Sequence, residues 1–377
     1  MRIAFLSWRD STHPEGGGAE HYAERTCEGL GGLGHDVTLF CAAHPGAPTV
    51  EHRRGYRVHR SGGRFSVYPA ALRAMRAAER RDGPFDIVVD TQNGVPFWAP
   101  LATKAPVVVL VHHVHREQWP VVFGPLVARL GWAVESRLAP KVYRRAPYVA
   151  VSGPTRDELV ALGVDPGRID VIHNGTDTPR ALDVPRAAAP TMVVLGRLVP
   201  HKRVEHAIDV VARLRQAHPG LRLRIIGEGW WHDQLAEHAR EAGQDDIVDL
   251  LGFLSEDDKH AELAQAWVAL APSIKEGWGL TVVDAATHGV PTVAYHGTGG
   301  LEDSIQDGRT GLLVADFDGM VSAVDSILTD AATRTRLGEQ AREYAATFTW
   351  DGTVAQWDAM LRGVVSGEGG RPPRQDP

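Results

Sequence analysis

The stretch VALAPSIKEGWGLTVVDAATHG, residues 268–289, carries the reading of the fold. VALAPS is a short apolar run closed by a proline, as a buried strand is. IKEGWG, with two glycines around a tryptophan, reads as a loop. LTVVDAATHG places apolar residues at helical spacing and ends on glycine, which predicts a helix. Strand, glycine loop and helix make half of a βαβ unit, and such units build parallel sheets. The loop then lies beyond the carboxyl end of its strand, where open parallel sheets bind ligands. Two carboxylates flank it, Glu276 before Gly-Trp-Gly and Asp284 eight positions on. Between them the amides of Gly279, Leu280 and Thr281, preceded by Gly277, open the helix and form a ready anion site. An acid on either side of an anion site suits a ligand of the form sugar–pyrophosphate–nucleoside. Glu276 would accept from polyol hydroxyls and Asp284 from a diol such as a ribose. The plainer alternatives are a helix-end charge effect for Asp284 and a solvated loop acid for Glu276.

The same alternation runs outward in both directions. RIAFLS, DVTLF, DIVVD, PVVVLVH and PYVAVS read as strands before it, with helices over residues 19–33 and 68–81 and a mostly helical stretch from Trp119 to Arg145. TPRALDVPRAAAP, residues 178–190, lacks period and is the linker candidate. After it TMVVLGR, RLRIIGEG, IVDLLGF, VALAPS, PTVAY and TGLLV resume the pattern. A chain of 377 residues suits two domains rather than one core. The expected fold class is α/β, two Rossmann-like doubly wound domains, residues 1–182 and 183–350, facing a cleft.

Composition narrows the function. A hydrophobic fraction of 43% with 23% charged residues is that of a globular protein. Cys27 and Cys41 make no disulfide framework, which favours a reducing, cytoplasmic setting. MRIAFLSWRD reads as a first strand rather than a leader, and no run approaches 18 apolar residues. Residues 1–182 hold 22 Lys and Arg against 18 Asp and Glu, net +4, and the remainder carries −11 of the total −7. Arg53, Arg54, Arg57, Arg60, Arg64, Arg73, Arg76, Arg80 and Arg81 crowd one region. One reading is a surface that meets an anionic acceptor or a membrane. The other is the solvated faces of a hairpin and a helix. Nothing suggests a nucleic-acid partner.

Other strand ends carry further candidates. Gly16, Gly17 and Gly18 precede a helix and let backbone amides approach a ligand; an unliganded flexible loop is the alternative. Their spacing is not the GxGxxG of dinucleotide binding. His112, His113 and His115 follow a buried strand, but no Cys or carboxylate set completes a metal site, so no metal is expected. His112 suits sugar hydroxyls or a phosphate oxygen, and a structural histidine is the alternative. Arg197 and Lys202 suit a pyrophosphate, one as a fork and one as a point charge, against surface salt-bridging. Gly227 and Gly229 allow close backbone approach, and the backbone of Phe253 and Leu254 suits a base edge. Acceptor contacts are assigned to Gly16, His113, Arg116 and Trp119. In HREQWPVVFGPL, Trp119, Val121, Val122 and Phe123 read equally well as helix core.

These pieces together resemble the GT-B family of retaining glycosyltransferases called family 4, which includes sucrose-phosphate synthases and bacterial mannosyl- and glucosyltransferases. The resemblance covers nearly the whole chain, through GGGAEHYAERTCEGL, VIHNGTD, GRLVPHKR, GEGW, EGWGLTVVD and GGLEDSIQDGRTGLLV. The family's E-x7-E motif appears here as E-x7-D. The resemblance implies that Glu276 contacts the donor sugar, Asp284 the ribose, and Arg197 and Lys202 the diphosphate. It implies that His112 meets the sugar or the transferred centre, that Gly17 and Gly18 line the cleft, and that Gly299, Gly300 and Leu301 approach sugar and phosphate. It further implies a last helix, residues 351–364, crossing back to the first domain; the Gly- and Pro-rich residues after it, 365–377, read as a disordered tail. The implied reaction is hexosyl transfer from a nucleotide sugar, UDP-linked by preference, to a hydroxyl of a small-molecule, glycan or lipid-linked acceptor. It proceeds by front-side displacement with no metal or cofactor. A GDP-mannose-dependent mannosyltransferase is the alternative within the class, and a non-catalytic sugar-nucleotide-binding scaffold is the alternative outside it. A phosphorylase would need a cofactor lysine motif, and an epimerase a different acid and histidine set.

Overall fold

The computed structural model describes residues 1–177 and 184–367, with the side chains of residues 121 and 122 excepted. By its internal contacts the chain divides into two units, Met1–Gly175 with the segment from Thr349 onward, and Thr176–Phe348.

The first unit runs β1 (Arg2–Leu6), α1 (Gly18–Gly32), β2 (Asp36–Cys41), β3 (Val50–Arg53), β4 (Tyr56–Arg60), α2 (Val67–Asp82), β5 (Ile87–Gln92), β6 (Val107–Val111), α3 (Trp119–Val122), α4 (Pro125–Ala133), α5 (Ala139–Val142), β7 (Tyr148–Ala150), α6 (Gly153–Ala161) and β8 (Ile169–Val171). These strands form an eight-stranded sheet in the order β3-β4-β2-β1-β5-β6-β7-β8. Pairing is parallel, with Ile3 beside Val37 and Ile87, except at the β3–β4 hairpin, where Arg53 faces Tyr56 antiparallel. The central strands β1, β5 and β6 are buried almost throughout. Helices cover both their faces, which is why they read as continuous apolar runs rather than alternating ones. The stretch from Trp119 is helical in pieces, since Pro120, Pro125 and Pro140 each sit in a helical first turn and reset it. Between α4 and α5, Val134–Leu138 widen to a π-turn.

The second unit runs β9 (Thr191–Leu195), α7 (Val204–Leu214), β10 (Arg222–Ile226), α8 (His232–Glu241), β11 (Val248–Gly252), α9 (Glu256–Gln265), β12 (Val268–Ala271), α10 (Leu280–Thr287), β13 (Thr292–Tyr295), α11 (Leu301–Ser304), β14 (Gly311–Val314), α12 (Phe317–Thr329) and α13 (Ala331–Ala345). Its six strands lie in the order β11-β10-β9-β12-β13-β14, all parallel. Val193, Ile225, Val268 and Val293 are fully buried. The amphipathic α7 buries Val204, Ala207, Ile208 and Val211 against this sheet.

The chain then returns to the first unit as α14 (Trp350–Ser366), which packs on α1. Trp357 is fully buried there, its indole N–H donating to Tyr22 Oη at 2.7 Å. Gly29 lies so close to Val354 that a Cβ would meet a methyl at 2.3 Å.

Three expected boundaries move. The unit boundary falls at Gly175, seven residues before the expected 182. Of the expected linker 178–190, residues 178–183 lie outside the described residues. The rest belongs to the second unit, because Arg186 donates to the carbonyls of Ala266, His288 and Gly289. The last helix continues to Ser366, two residues past its expected end, and the tail from residue 368 lies outside the described residues.

Candidate functional site

The second sheet reverses its strand order between β9 and β12. At such a switch point, neighbouring loops diverge to opposite faces and leave a ligand crevice. From β9 the chain passes through Gly196 and Arg197 to a single 3-10 turn, Pro200–Lys202; from β12 it enters the loop ahead of α10. These two loops bring Lys202 and Glu276 together as an ion pair through Nζ and Oε1, with side chains 19% and 17% exposed. Ser273 Oγ donates to the same oxygen at 2.7 Å. Burial opposes ionisation of Glu276, but the Lys202 cation and the Ser273 hydroxyl outweigh it and hold the carboxyl below its ordinary range. His201 is pushed down to about 4, by burial first and by Lys202 beside it second.

The loop is held by its own backbone. Glu276 N–H donates to Thr298 O at 2.8 Å, and Gly300 N–H to Glu276 O at 2.9 Å. A Cβ on Gly300 would lie 2.0 Å from Gly277 O, so only glycine fits against this loop. Gly279 takes a left-handed φ of 96° and opens α10. Leu280 and Thr281 then present first-turn amides, which have no intrahelical acceptor. Trp278 is buried at 3% exposure, with its ring edge-on to Phe348 at 4.8 Å. The tryptophan of EGWG therefore anchors the loop.

Asp284 lies one turn into α10. Its carboxylate is 3.2 Å from Lys259 Nζ, and Lys259 also reaches Glu256 at 2.7 Å. Burial lowers the Lys259 ammonium, but the two acids raise it above its ordinary value. Lys259 escaped the sequence reading because it sits in a run of charges that looks like a solvated helix face.

Arg197 is exposed and has no hydrogen bond or ion pair among the described residues. Gly227 and Gly229 do allow close approach, but to the chain itself. A Cβ at either would lie 2.0 Å from Gly196 O or Leu198 O, so both glycines let the β10 loop stack on the β9 loop. Phe253 is 77% exposed, whereas Leu254 packs on the small cluster around Val193 and Ile226.

In the first unit, Gly17 N–H donates to Glu20 Oε2 at 2.8 Å, a reach-back that starts α1, and Gly16 N–H donates to His13 O at 2.7 Å. Gly18 is the first residue of α1. His112 is 6% exposed with Nε2 buried and without a hydrogen-bond partner, its ring edge-on to Tyr22 at 5.4 Å. Burial, reinforced by His115, pushes it down to about 3, so the imidazole is neutral.

His113 and Trp119 are committed to structure instead. His113 Nε2 pairs with Gln118 Oε1 at 3.0 Å. The Trp119 indole donates to the fully buried Glu135 at 2.7 Å, and its ring lies where a Cβ on Gly131 would be, 2.4 Å away. This packing argues against Trp119 as an acceptor platform. Arg116 is exposed, over the Trp132 ring at 5.8 Å. Among the described residues, no group of three or more His, Cys, Asp or Glu is placed to hold a metal ion.

Part of the basic run is consumed within the unit. Arg60, 1% exposed at its side chain, donates through Nε to the buried Asp10 at 2.6 Å and through Nη2 to Glu51 at 2.6 Å. Arg53 pairs with Glu24 at 2.7 Å, Arg57 with Asp36 at 2.9 Å, and Arg76 with the Ala102 carbonyl at 2.8 Å. Four of the nine arginines, Arg53, Arg57, Arg60 and Arg81, are thus paired with acids in place, while Arg54, Arg64, Arg73 and Arg80 stay exposed.

Residues 16–180 match the model of glycosyltransferase family 4, and residues 184–344 that of glycosyl transferases group 1. Among curated proteins, glycogen synthase of Mycobacterium tuberculosis is 33% identical over 263 residues, 68% of this chain. The match spans only 62% of that relative's length. An MMP alpha-(1->4)-mannosyltransferase of Mycolicibacterium hassiacum is 28% identical over 97% of this chain and 99% of its own. Among solved structures, sucrose-phosphate synthase from Thermosynechococcus elongatus superposes with a TM-score of 0.84 at 22% identity, covering 97% of this chain and 99% of that one. HepE of Anabaena, solved with UDP-glucose, gives 0.73 at 18% identity, covering 97% and 100%.

Proposed function

Because the chain belongs to family 4 of the glycosyltransferases, with GT-B architecture, we propose that it transfers a hexosyl group from a nucleoside diphosphate sugar to an acceptor hydroxyl. The observation that carries this reading is the Lys202–Glu276 pair held beside the open amides of α10. It sets a cation and two N–H donors for a diphosphate next to a carboxylate for sugar hydroxyls.

In this reading Lys202, Arg197 and the amides of Leu280 and Thr281 take the negative charge that builds on the departing diphosphate. Glu276 is ionised and accepts from the sugar's hydroxyls. With Lys202 against it, it orients the sugar rather than attacking it. A leaving phosphate oxygen takes the acceptor proton as the new glycosidic bond forms on the face the diphosphate vacates, so configuration is retained. Asp284 accepts from the ribose diol. Phe253, exposed at the end of β11, is free to cover the base. The donor is proposed as a UDP-sugar; the Anabaena structure with UDP-glucose supports that choice. The neutral His112, with its buried Nε2, is proposed to hydrogen-bond a ligand hydroxyl at the end of β6.

Contact with a membrane is assigned to α4 rather than to the arginine run. Leu126, Val127 and Leu130 are 81%, 53% and 67% exposed there beside exposed basic residues. Among the described residues no helix is long and apolar enough to cross a bilayer.

Thermal shift with UDP, GDP, ADP and their sugars tests the donor, since a ligand of the folded state raises the melting temperature by mass action. UDP and a UDP-sugar are expected to give the largest rise, and Lys202→Ala is expected to abolish it and most turnover while His113→Ala keeps both. Equal donor turnover in wild type and Lys202→Ala would refute the diphosphate assignment.

A further inference from the structure

Behind the donor loop the second unit holds a polar cavity of about 230 Å³, lined among others by Arg203, His206, Ser273, Tyr295, His296 and Thr298. None of Arg197, Lys202, Glu276, Leu280, Thr281 or Asp284 lines it. Arg203 is its distinctive member. The residue adopts φ 48° and ψ 42°, the left-handed region, as the N-cap of α7. A non-glycine residue is strained there, and such strain collects where a side chain has work to do. Glycine or asparagine would hold the same turn without the strain.

The side chain that this turn delivers has no hydrogen bond or ion pair among the described residues, and it is only partly exposed. Its neighbours are already spoken for. His206 Nδ1 and Tyr295 Oη share a hydrogen bond of 2.7 Å, and Thr298 Oγ1 donates to Tyr295 O at 2.9 Å. Asp316, which also lines the cavity, accepts from Gly319 N–H through Oδ1 at 2.9 Å and caps α12. His296 stands 3.7 Å from Glu302. The cavity thus keeps a guanidinium fork with five donors and no acceptor, beside His206, Tyr295 and Thr298, whose hydrogen bonds are made within the unit. At about 30 Å³ per water, its volume also leaves room beyond a bare oxyanion.

We propose that this cavity is a second anion site, held by Arg203, for the phosphoryl group of a small phosphate monoester or free phosphate. The site goes beyond the donor reading, and it touches it at one point. Ser273 lines the cavity and donates to Glu276, and Thr298 lines it and accepts from the Glu276 amide.

The test is calorimetric titration of the full chain with inorganic phosphate and with glycerol phosphate, each with and without saturating UDP. Wild type and Lys202→Ala are expected to bind at least one of the two anions with UDP present. Arg203→Gly and Arg203→Asn relax the turn, so both should fold. They are expected to weaken that binding by about tenfold or more, as the loss of a charge-assisted pair does, and to bind UDP as wild type does. Tighter binding of glycerol phosphate marks the ester as the ligand, and equal binding marks free phosphate. Wild-type anion affinity in Arg203→Gly, or displacement of all bound anion by UDP, would overturn the site. If wild type binds no UDP, the donor assignment fails by itself, and the Arg203 comparison without UDP still decides this one.

Discussion

At the scale of single residues, Glu276 shows how the site is stabilised. Its folded pKa lies below its ordinary 4.5 because Lys202 and Ser273 overcome its burial. The contribution is therefore present above pH 4.5 and fades as pH falls through the folded value. In Lys202→Met the Ser273 hydrogen bond and the weaker influence of His201 would be left to oppose burial, the largest single influence, and the folded pKa is expected to rise above the unfolded one. The sign then reverses: stability would be fullest at low pH and would decline as pH rises. The gap in melting temperature between wild type and Lys202→Met is expected to widen from about pH 4 to about pH 7. It should reach the equivalent of roughly 1–3 kcal/mol, below the range for breaking a fully buried pair because both side chains keep some exposure. A constant gap across pH would mean that the pair is not ionised. Asp284 poses the second residue question. Its short side chain ends at Lys259 rather than at open space. Asp284→Glu is expected to preserve or improve UDP binding, and a folded but inactive variant would remove the ribose assignment. The sequence motif made both acids visible. It did not make Ser273, Lys259 or Arg203 visible: the Ser273 and Lys259 contacts depend on how the loop and helices fold, and Arg203 is singled out by its left-handed backbone.

Among the elements, the central strands were legible; the edge strand β8 and the irregular helices were not. Central strands read correctly because burial on both faces leaves no polar position to confuse the pattern. The segment from Trp119 to Val142 is harder, since its prolines break it and Glu135 looks like a surface acid while being wholly buried. Glu135 takes the Trp119 indole and the His115 backbone and ring, so the charge serves a packing network. Gly131→Ala should push a Cβ into the Trp119 ring and cost about 1–3 kcal/mol; an unchanged denaturation midpoint would show that the ring can move aside. The same burial leaves α4's surroundings strongly cationic. Arg129, Arg137, Lys141, Arg144 and Arg145 are exposed, and Glu135 is the one acid between Glu117 and Asp157. With each cation worth about 1 kcal/mol at an anionic lipid surface, the chain is expected to sediment with anionic vesicles and not with neutral ones. Leu126→Ser with Leu130→Ser should weaken that binding several-fold at unchanged fold. Equal sedimentation with both vesicle types would count against the surface.

On the scale of the molecule, the alternation of strands and helices predicts two doubly wound sheets. It does not say that the first unit is closed by the far end of the chain. That closure depends on side chains more than 300 residues apart, as in the bond of Trp357 to Tyr22 and that of His35 to Asp358 at 2.6 Å. No local period announces such partners; only the resemblance to family 4 implied a returning helix. The consequence is testable because the second unit is inserted between the two pieces of the first. Trp357→Ala would empty a fully buried site against Phe5 and Tyr22 and cost about 3–5 kcal/mol. The loss belongs to the first unit, since the contacts α14 makes there are with α1 and β1. Hydrogen exchange should therefore speed up in β1, α1 and α14 while β9, β10 and β12 keep their protection. UDP, if it binds the Lys202–Glu276 loop as proposed, should still slow exchange at Gly279–Val282 in the variant. Uniform acceleration across both sheets would instead show that the two units unfold as one.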